Sequence, residues 1–451
     1  MDDTRARAGG DPADGGLPPG LLLDAEGRRD VEQRQPGSLL ELRERLGDLF
    51  CLRTEGRPPR VYVADPAALR DIFVTHGGHL RARGPSLFRH LVGEESVAFL
   101  NGRPHRRVRR LLGRALAGQD PALLADAVER YLRGTLSPGA ALPLAGFADG
   151  LTRRVIVTLL LGEGEEARRA AVEDSLERAM VGLHHGHTAR LAGDAERAAR
   201  ADRAFTRARR DLDDCLAAEI AAARRGSPAS SVLARLLNDP DGGEPTDADV
   251  RVHAVTLLVS GHETTSAALS WALLQAARAP WHFAGIRAEI AALPERAPAV
   301  ALLGLPYLRA YCLEVLRLTP PVPNGNTRLV VSPFRAAGYT FRPGVEICPC
   351  IHNAHHARDS HSDPQRFAPE RFIGTSPAAG TYLPFGIGSR RCPGESLALR
   401  ELAIAVAHLA RLPGLRIGTP DTTAPEPVSM GPTVRTPHAV IRRTHGTGPG
   451  P

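Results

Sequence analysis

The segment Leu383-Pro-Phe-Gly-Ile-Gly-Ser-Arg-Arg-Cys-Pro-Gly-Glu395 decides how the remainder of this chain is interpreted. Gly386 and Gly388 allow a tight turn and the close approach of a flat ligand, and Phe385 can pack beside that ligand. Cys392 precedes Pro-Gly and the start of a predicted helix. A helix N-terminus and two adjacent arginines favour a thiolate over a thiol, so we expect Cys392 to be anionic.

An anionic sulfur held in a tight loop is a suitable axial ligand for heme iron, and it favours cleavage of the dioxygen bond. The pattern Phe-Gly-x-Gly-x-Arg-x-Cys-x-Gly over residues 385–394 resembles the heme-binding loop of the cytochrome P450 family at every fixed position. The resemblance implies that Cys392 ligates the iron and that Phe385, Gly386 and Arg390 contact the cofactor. A zinc site is a poor alternative, because no pair among the six cysteines has the usual zinc-ligand spacing.

A long helix is predicted upstream of this loop, from Thr246 to Ala279. Thr246 and Asp249 have the spacing of a capping box, with aspartate in place of the usual glutamate. No proline interrupts the helical pattern that follows. The middle of the helix is apolar on nearly every side, which predicts that it is buried.

This helix contains Ser-Gly-His-Glu-Thr-Thr at residues 260–265, which is similar to the family's acid–alcohol pair. The resemblance implies that Thr264 donates a hydrogen bond during oxygen activation and that Glu263 relays protons from solvent. Gly261 is expected to let heme and dioxygen come close. The alternative is an amphipathic helix with one glutamate that reaches toward solvent.

A second motif combines Glu314 and Arg317, which have helical i,i+3 spacing. Most such pairs are solvated and contribute little. The pair gains weight from Pro-Glu-Arg-Phe at residues 369–372. The resemblance implies a buried network of Glu314, Arg317 and Arg371 that braces the cysteine loop, which is a folding role.

A third motif lies in the arginine-rich segment at residues 102–110. His105 and Arg109 lie about one helical turn apart on the same face, so both can reach a pair of carboxylates. The resemblance places this pair on the heme propionates and matches Arg328 and Arg390 to further propionate-binding positions. The alternative is an ordinary arginine-rich surface helix.

The resemblance also implies a mainly apolar substrate pocket, with two asparagines as polar anchors. Its expected members are Thr256, Val259, Val322, Asn324, Asn326 and Met430. A terpenoid, polyketide or fatty acyl chain fits such a pocket. Two histidine clusters are not interpreted as metal sites. The cluster of His184, His185 and His187 is expected in a mobile substrate-access region. The cluster of His352, His355, His356 and His361 is expected in a surface meander.

Composition excludes several classes of protein. The chain has 451 residues, of which 43% are hydrophobic and 24% charged, as in ordinary globular proteins. A net charge of +7 is too weak to indicate nucleic-acid binding. No apolar run reaches the length of a membrane span, and the scattered cysteines argue against a disulfide framework. We therefore expect a cytoplasmic protein with no membrane or nucleic-acid partner.

The predicted fold is mostly α with small β-sheets, and the resemblance implies the single prism-shaped domain of the P450 fold. We expect this domain at residues 37–445, with flexible tails at residues 1–36 and 446–451. Besides the long helix, helices are predicted at residues 67–74, within 106–237, at 305–318 and at 395–409. Strands are predicted at residues 61–63, 328–331 and 345–348.

The implied activity is monooxygenation of a C–H or C=C bond, with heme b (iron protoporphyrin IX) as cofactor and O2 as co-substrate. No residues remain for a reductase domain, so electrons from NAD(P)H are expected through a separate ferredoxin or flavodoxin and its reductase. Arg106, Arg107 and Arg110 are candidates for that docking surface. A role in secondary metabolite biosynthesis is expected. The alternatives are a peroxide-using enzyme, a non-hydroxylating reaction such as C–C coupling, isomerisation or reduction, and a non-enzymatic heme sensor.

Overall fold

Helices form most of the protein in the computed structural model. It describes residues 7–8, 16–83, 86–162, 164–226, 231–238, 245–377, 380–418 and 439–444. The α-helices in that part of the chain are α1 (Ala25–Gln33), α2 (Gly37–Leu46), α3 (Pro66–Arg70), α4 (Ser86–Val92), α5 (Gly102–Leu116), α6 (Pro121–Thr135), α7 (Leu144–Leu161), α8 (Glu166–Leu191), α9 (Ala195–Arg224), α10 (Val232–Leu237), α11 (Asp247–Arg278), α12 (Trp281–Ala291), α13 (Pro306–Leu318), α14 (Ile351–His355) and α15 (Glu395–Arg411).

The strands are short. They are β1 (Arg7–Ala8), β2 (Gly20–Leu23), β3 (Leu49–Thr54), β4 (Arg57–Val63), β5 (Leu80–Ala82), β6 (Ala141–Pro143), β7 (Arg328–Val330), β8 (Phe334–Ala336), β9 (Tyr339–Phe341), β10 (Glu346–Pro349), β11 (Leu415–Gly418) and β12 (Val440–Arg443). Seven of them form a sheet in the order β1-β2-β3-β4-β10-β7-β5. The prediction of mostly helix with small sheets is confirmed.

Helix α11 is the central element of the large apolar core. Thr246 is its N-cap, and the hydroxyl of Thr246 accepts a hydrogen bond from the Asp249 N–H at 3.1 Å. The helix has 32 residues and is therefore about 48 Å long. Most of its side chains are buried against α7, α13 and α15, so the long buried helix predicted from the sequence is confirmed.

The larger sheet holds the segment that precedes α3 against the segment that follows α13. Strand β4 pairs with β10 in parallel, with Val61 opposite Ile347. Strand β10 also pairs antiparallel with β7. All three strands predicted from the sequence are confirmed. The helix predicted at residues 67–74 is α3 followed by a single π turn, Asp71–Thr75.

The prediction of a flexible tail over residues 1–36 is wrong for residues 16–36. Strand β2 pairs in parallel with β3, with Leu21 opposite Leu52, and α1 places Val31 at 0% exposure. Leu21, Leu23 and Val31 fill an apolar cluster with α2 and β3. Burial of these side chains outweighs the local Pro and Gly content from which the tail was predicted. Residues 446–451 lie outside the described part of the chain.

Helix α12 was not predicted, although it packs against α13 and α15 and buries Phe283, Ile286 and Ile290. Within the described residues, no helix combines the length and apolarity needed to cross a membrane.

Candidate active site

A cavity of about 350 Å³ lies between α11 and the segment that contains Cys392. One wall carries Gly261 and Thr264 from α11, and the opposite wall carries Phe385, Gly386 and Cys392. The structure thus brings together two motifs that are more than a hundred residues apart in the sequence. The lining is mainly apolar elsewhere and includes Phe73, Val97, Ala98, Leu112, Leu116, Ile156, Leu257, Ala268, Pro321, Val322 and Leu397.

The loop before α15 is shaped by two glycines in the left-handed region. Gly386 has φ +76 and Gly388 has φ +69, conformations that other residues rarely adopt. A Cβ atom on Gly388 would also collide with the carbonyl oxygen of Phe73. The turn brings the Cys392 N–H to the carbonyl oxygen of Phe385 at 2.8 Å and leaves the Cys392 side chain exposed to the cavity.

The protein on its own does not favour the thiolate that the sequence pattern predicts. Burial raises the pKa of the Cys392 thiol, while the Gly394 N–H, Arg109 and Arg391 lower it by less. Arg391 contributes little because two of its nitrogens each lie 2.6 Å from a carboxylate oxygen of Glu395. A metal cation bound to the Cys392 sulfur would supply the missing charge, because metal ligation displaces the thiol proton.

Three arginines and one histidine line the same cavity: Arg109, Arg328, Arg390 and His105. Burial lowers the pKa of Arg328 and of Arg390 to about 10, with repulsion between neighbouring arginines added. Burial, together with the charges of Arg390 and Arg109, lowers the pKa of His105 to about 4, so His105 is neutral near pH 7. Buried cations that repel one another have the charge pattern of a site for an anionic ligand.

Arg328, which is buried, and Arg390, which is half-buried, are held mainly by backbone carbonyls. Arg390 donates to the carbonyl oxygens of Val97 at 3.3 Å, Ala98 at 3.4 Å and Leu100, and to Asn101 Oδ1 at 2.8 Å. Arg328 donates to the carbonyl oxygen of Asn326. These bonds are to neutral acceptors, so the positive charge remains available to a ligand.

The residues present fit a heme. Cys392 offers a sulfur on one face of the cavity, and the three arginines and the histidine N–H donor suit the two carboxylates of a porphyrin. The lining is mainly apolar, as a flat macrocycle requires. His105, Arg109, Arg328 and Arg390 would hold the propionates, and Cys392 would hold the iron.

On the α11 wall, Thr264 and Glu263 point in different directions. Thr264 lines the cavity, and its hydroxyl donates to the carbonyl oxygen of Ser260 at 2.9 Å. Glu263 is buried away from the cavity lining, and its Oε1 lies 3.3 Å from Nε2 of His184 on α8. Gly261 lines the cavity, but a Cβ there would lie 2.7 Å from Ile156. The close approach that this glycine permits in the described residues is to α7, a packing role that the sequence did not predict.

The structure brings only some of the predicted substrate residues to the cavity. Thr256, Val322 and Asn326 line it. Val259 is buried in the core, and Asn324 turns away, where its amide donates to Gln35 Oε1 at 2.9 Å. The structure therefore does not bring these two residues to the cavity, because neighbouring segments take up their side chains. Met430 lies outside the described residues.

The structure brings Glu314, Arg317 and Arg371 together. Arg317 is fully buried and donates to both carboxylate oxygens of Glu314, at 2.7 and 2.9 Å. Its other bonds go to the carbonyl oxygens of residues 355, 364 and 366. Arg371 and the Ala368 N–H donate to the same carboxylate. This network ties α13 to the segment that leads into the cysteine loop.

Two of the histidines expected on a surface meander, His355 and His356, are buried instead, and His352 is half-buried. His355 lies at 0% exposure, and its pKa is lowered well below the ordinary value by burial. Its Nδ1 donates to the Arg317 carbonyl oxygen at 2.9 Å, and its Nε2 accepts from the Leu383 N–H at 2.7 Å. The rings of His352 and His356 stack with centroids 3.9 Å apart. His355 thus joins the Arg317 network to the first residue of the cysteine loop.

One further cavity residue was missed from the sequence. Glu401 on α15 lines the cavity at 2% exposure, and its Oε1 has no hydrogen-bond partner among the described residues. Burial raises the pKa of this carboxyl well above its ordinary value. The available signal was a glutamate beside Leu402 and Ile404 in the apolar stripe of α15. The described residues contain no cluster of three or more side chains suited to a metal ion.

Comparison with known proteins also supports a heme site in this cavity. The family model for cytochrome P450 matches residues 196–431. A protein of Mycobacterium tuberculosis named cytochrome P450 135B1 is 31% identical over 453 residues, covering 95% of this chain and 91% of its own. Abscisic acid 8'-hydroxylase 3 of Oryza sativa is 27% identical over 388 residues, covering 81% of this chain and 74% of its own.

Solved structures show the same fold. The cyanobacterial CYP120A1 with retinoic acid bound has a TM-score of 0.78 at 23% identity, covering 95% of this chain and 99% of its own. A zebra fish cytochrome P450 with progesterone has a TM-score of 0.72 at 20% identity, covering 90% and 98%.

The fold and the sequence relatives define a heme-thiolate monooxygenase, an oxidoreductase that uses dioxygen. The chain belongs to the cytochrome P450 family. Heme, O2 and electrons from redox partners are properties of this family, which generally acts on lipophilic substrates.

Proposed function

We propose that the protein inserts one oxygen atom from O2 into a C–H or C=C bond of a lipophilic natural-product intermediate. The observation that carries this proposal is the arrangement of the cavity. Cys392 lines it on one wall, Thr264 lines it on the other, and three arginines and His105 complete the lining. Bound heme supplies the oxygen activation, and the protein supplies its ligand, its orientation and a route for protons.

In this proposal the residues of the chain divide the work. His105, Arg109, Arg328 and Arg390 orient the cofactor through its carboxylates. The Thr264 hydroxyl donates its single proton to the Ser260 carbonyl oxygen, so its oxygen can accept a hydrogen bond from a group in the cavity, and it can donate there only by giving up the bond to Ser260. The apolar lining excludes water from the reacting face, which strengthens each polar contact there.

The substrate class rests on the lining and on the relatives. The cavity is mainly apolar, with Ser260, Asn326 and Thr264 as polar groups. The compared proteins are named for, or solved with, abscisic acid, retinoic acid and progesterone. All three are lipophilic, and each carries an oxygen function. A terpenoid, polyketide or fatty acyl substrate from secondary metabolism matches this pattern.

Electrons are proposed to come from NAD(P)H through a ferredoxin or flavodoxin and its reductase. Arg106 and Arg110 are exposed on α5, the helix that also carries His105 and Arg109 into the cavity. A basic surface beside the cofactor suits an acidic electron carrier, because complementary charge speeds association. The cytoplasmic location stays a prediction.

The test is Thr264→Ala in the heme-loaded enzyme, with Thr264→Ser as the matched control because serine keeps the hydroxyl. We expect product formed per electron pair to fall by about tenfold in the alanine variant, as general acid catalysis is lost, while dioxygen consumption continues. The serine variant should retain most of the coupling. Unchanged coupling in Thr264→Ala would contradict the monooxygenase chemistry and favour a non-hydroxylating reaction.

A further inference from the structure

The carboxylate of the acid–alcohol pair is connected to the outside of the protein through a histidine. The Nε2 atom of His184 lies 3.3 Å from Oε1 of Glu263, and the side chains are 24% and 11% exposed. His184 belongs to α8, whereas Glu263 belongs to α11. The contact therefore joins two helices directly behind the wall that carries Thr264.

Solvent exposure falls from His184 to Glu263. His184 is partly exposed, Glu263 is buried, and Thr264 faces the cavity. The ring of Phe88, from α4, meets the His184 ring edge-on with centroids 6.2 Å apart. Phe88 has no ionisable group. Among the described residues, His184 is therefore the neighbour of Glu263 on the solvent side that can carry a proton.

The neighbouring His262 has a different role. Its Nε2 lies 3.4 Å from Oδ1 of Asp149 on α7, and its Nδ1 is 3.0 Å from the Leu258 carbonyl oxygen. Asp149 is also paired with Arg153. His262 is thus fixed on the α7 side of the helix, and it serves the packing of α7 against α11.

We propose that His184 is a positioning residue for proton delivery, which holds Glu263 and passes protons to it from solvent. This inference rests on the proposed monooxygenase function. An imidazole suits the task because one ring nitrogen accepts a proton from water while the other releases one. Each proton that His184 passes to Glu263 is replaced from water, so the relay consumes no other reactant.

Apart from Glu263, the ionisable side chains named near His184 on α8 are basic, namely His187 and Arg190. His187 lies about one turn further along α8, and the pKa of His187 is lowered by burial, by Arg190 and by His184. His185 is exposed on the same helix and makes no hydrogen bond or ion pair with α11 among the described residues. His185 is therefore a matched control on the same helix.

The test compares His184→Ala, His184→Gln and His185→Gln in the heme-loaded enzyme. Glutamine at position 184 can still hold Glu263 by a hydrogen bond, but it cannot relay a proton. Retinoic acid serves as the probe substrate. Product formed per electron pair is measured there, and the solvent isotope effect on dioxygen consumption is measured with no added substrate.

We expect both His184 variants to lose coupling by about tenfold and to show a larger solvent isotope effect, with His185→Gln unchanged. The carbon monoxide spectrum should be the same in all variants, which excludes a folding defect. Wild-type values in His184→Gln would overturn the relay. Unchanged coupling in Thr264→Ala would instead remove the proposed function, whatever the His184 variants do. If retinoic acid is not oxidised by the wild type, the isotope effect decides: an unchanged value in His184→Gln overturns the relay.

Discussion

Behind the cysteine loop, a buried polar network is joined by several hydrogen bonds, whereas on α11 the hydroxyls of Ser260 and Thr264, which line the cavity, have few partners. Behind the cysteine loop, Glu314, Arg317 and His355 are all fully buried and bonded. On α11, Ser260 is exposed and lines the cavity, and its hydroxyl makes no hydrogen bond to another side chain or to the backbone among the described residues. Thr264 bonds only within its own helix in that part of the chain.

This difference separates two tasks of the protein. The cysteine side must hold a sulfur in one geometry, so its supporting network is saturated and intolerant of change. The α11 side must accept a substrate and protons, so it keeps polar groups available to ligands. Substitutions behind the cysteine loop should therefore reduce stability, and substitutions on the α11 side should reduce coupling while the fold is kept.

The largest expected effect is on the cysteine side, in Arg317→Leu. The substitution leaves Glu314 buried without its main counter-charge, and losing one partner of a buried pair costs about 3–5 kcal/mol. The free energy of unfolding of the heme-loaded protein, measured by chemical denaturation, should fall by that amount. The control is Arg309→Leu on the same helix, where the arginine is exposed. A surface change of this kind should cost about 0.5 kcal/mol or less, and equal losses in the two variants would contradict the network's role.

An intermediate effect is expected where the two walls meet the cofactor, in Arg328→Leu. Arg328 is 9% exposed and lines the cavity. A hydrogen bond to a charged group is worth about 1.5–3 kcal/mol, so heme affinity should fall by about ten- to a hundredfold in a transfer assay to apomyoglobin. The control is Arg335→Leu. Arg335 is exposed on β8, so this substitution should leave the heme affinity unchanged. Equal heme retention in both variants would show that Arg328 does not hold the carboxylates.

The smallest expected effect is the pH dependence that His355 gives to the cysteine side. Burial lowers the pKa of His355 well below its ordinary value in the folded protein, so the unfolded chain binds the proton more readily. Stability is therefore fully present above about pH 6.5 and is lost as the pH falls below that value.

Replacing His355 with glutamine removes one such proton. The slope of unfolding free energy against pH should decrease by at most about 1.4 kcal/mol per pH unit. A remaining slope is expected because burial also lowers the pKa of His352 and of His356. If His355→Gln leaves the slope unaltered between about pH 5 and 6.5, His355 does not take up a proton on unfolding.

The cysteine side was largely predictable from the sequence, and the α11 side only in part. The loop at residues 383–395 was recognisable from its residue types at fixed spacing, and the trio of Glu314, Arg317 and Arg371 was implied by the resemblance to the P450 family. The contact of His184 with Glu263 has no such signal, because it depends on how α8 crosses α11. Packing across helices far apart in the sequence is decided by tertiary structure.

The remaining errors have the same physical origin. Leu21 and Val31 were assigned to a tail because local Pro and Gly content is high, but strand β3 and helix α2 provide a surface that buries them. Asn324 was assigned to the pocket, but Gln35 of the same N-terminal segment takes its amide. Each error concerns a partner that is remote in the sequence.

The central claim is that Cys392 is the iron ligand at the wall of the α11 cavity. The most direct test is the carbon monoxide difference spectrum of the reduced, heme-loaded protein beside Cys392→Ser. The predicted result is the red-shifted Soret band of thiolate-ligated heme in the wild type, with that band lost in the variant. A band typical of histidine-ligated heme in the wild type, or the same spectrum in both proteins, would contradict the claim.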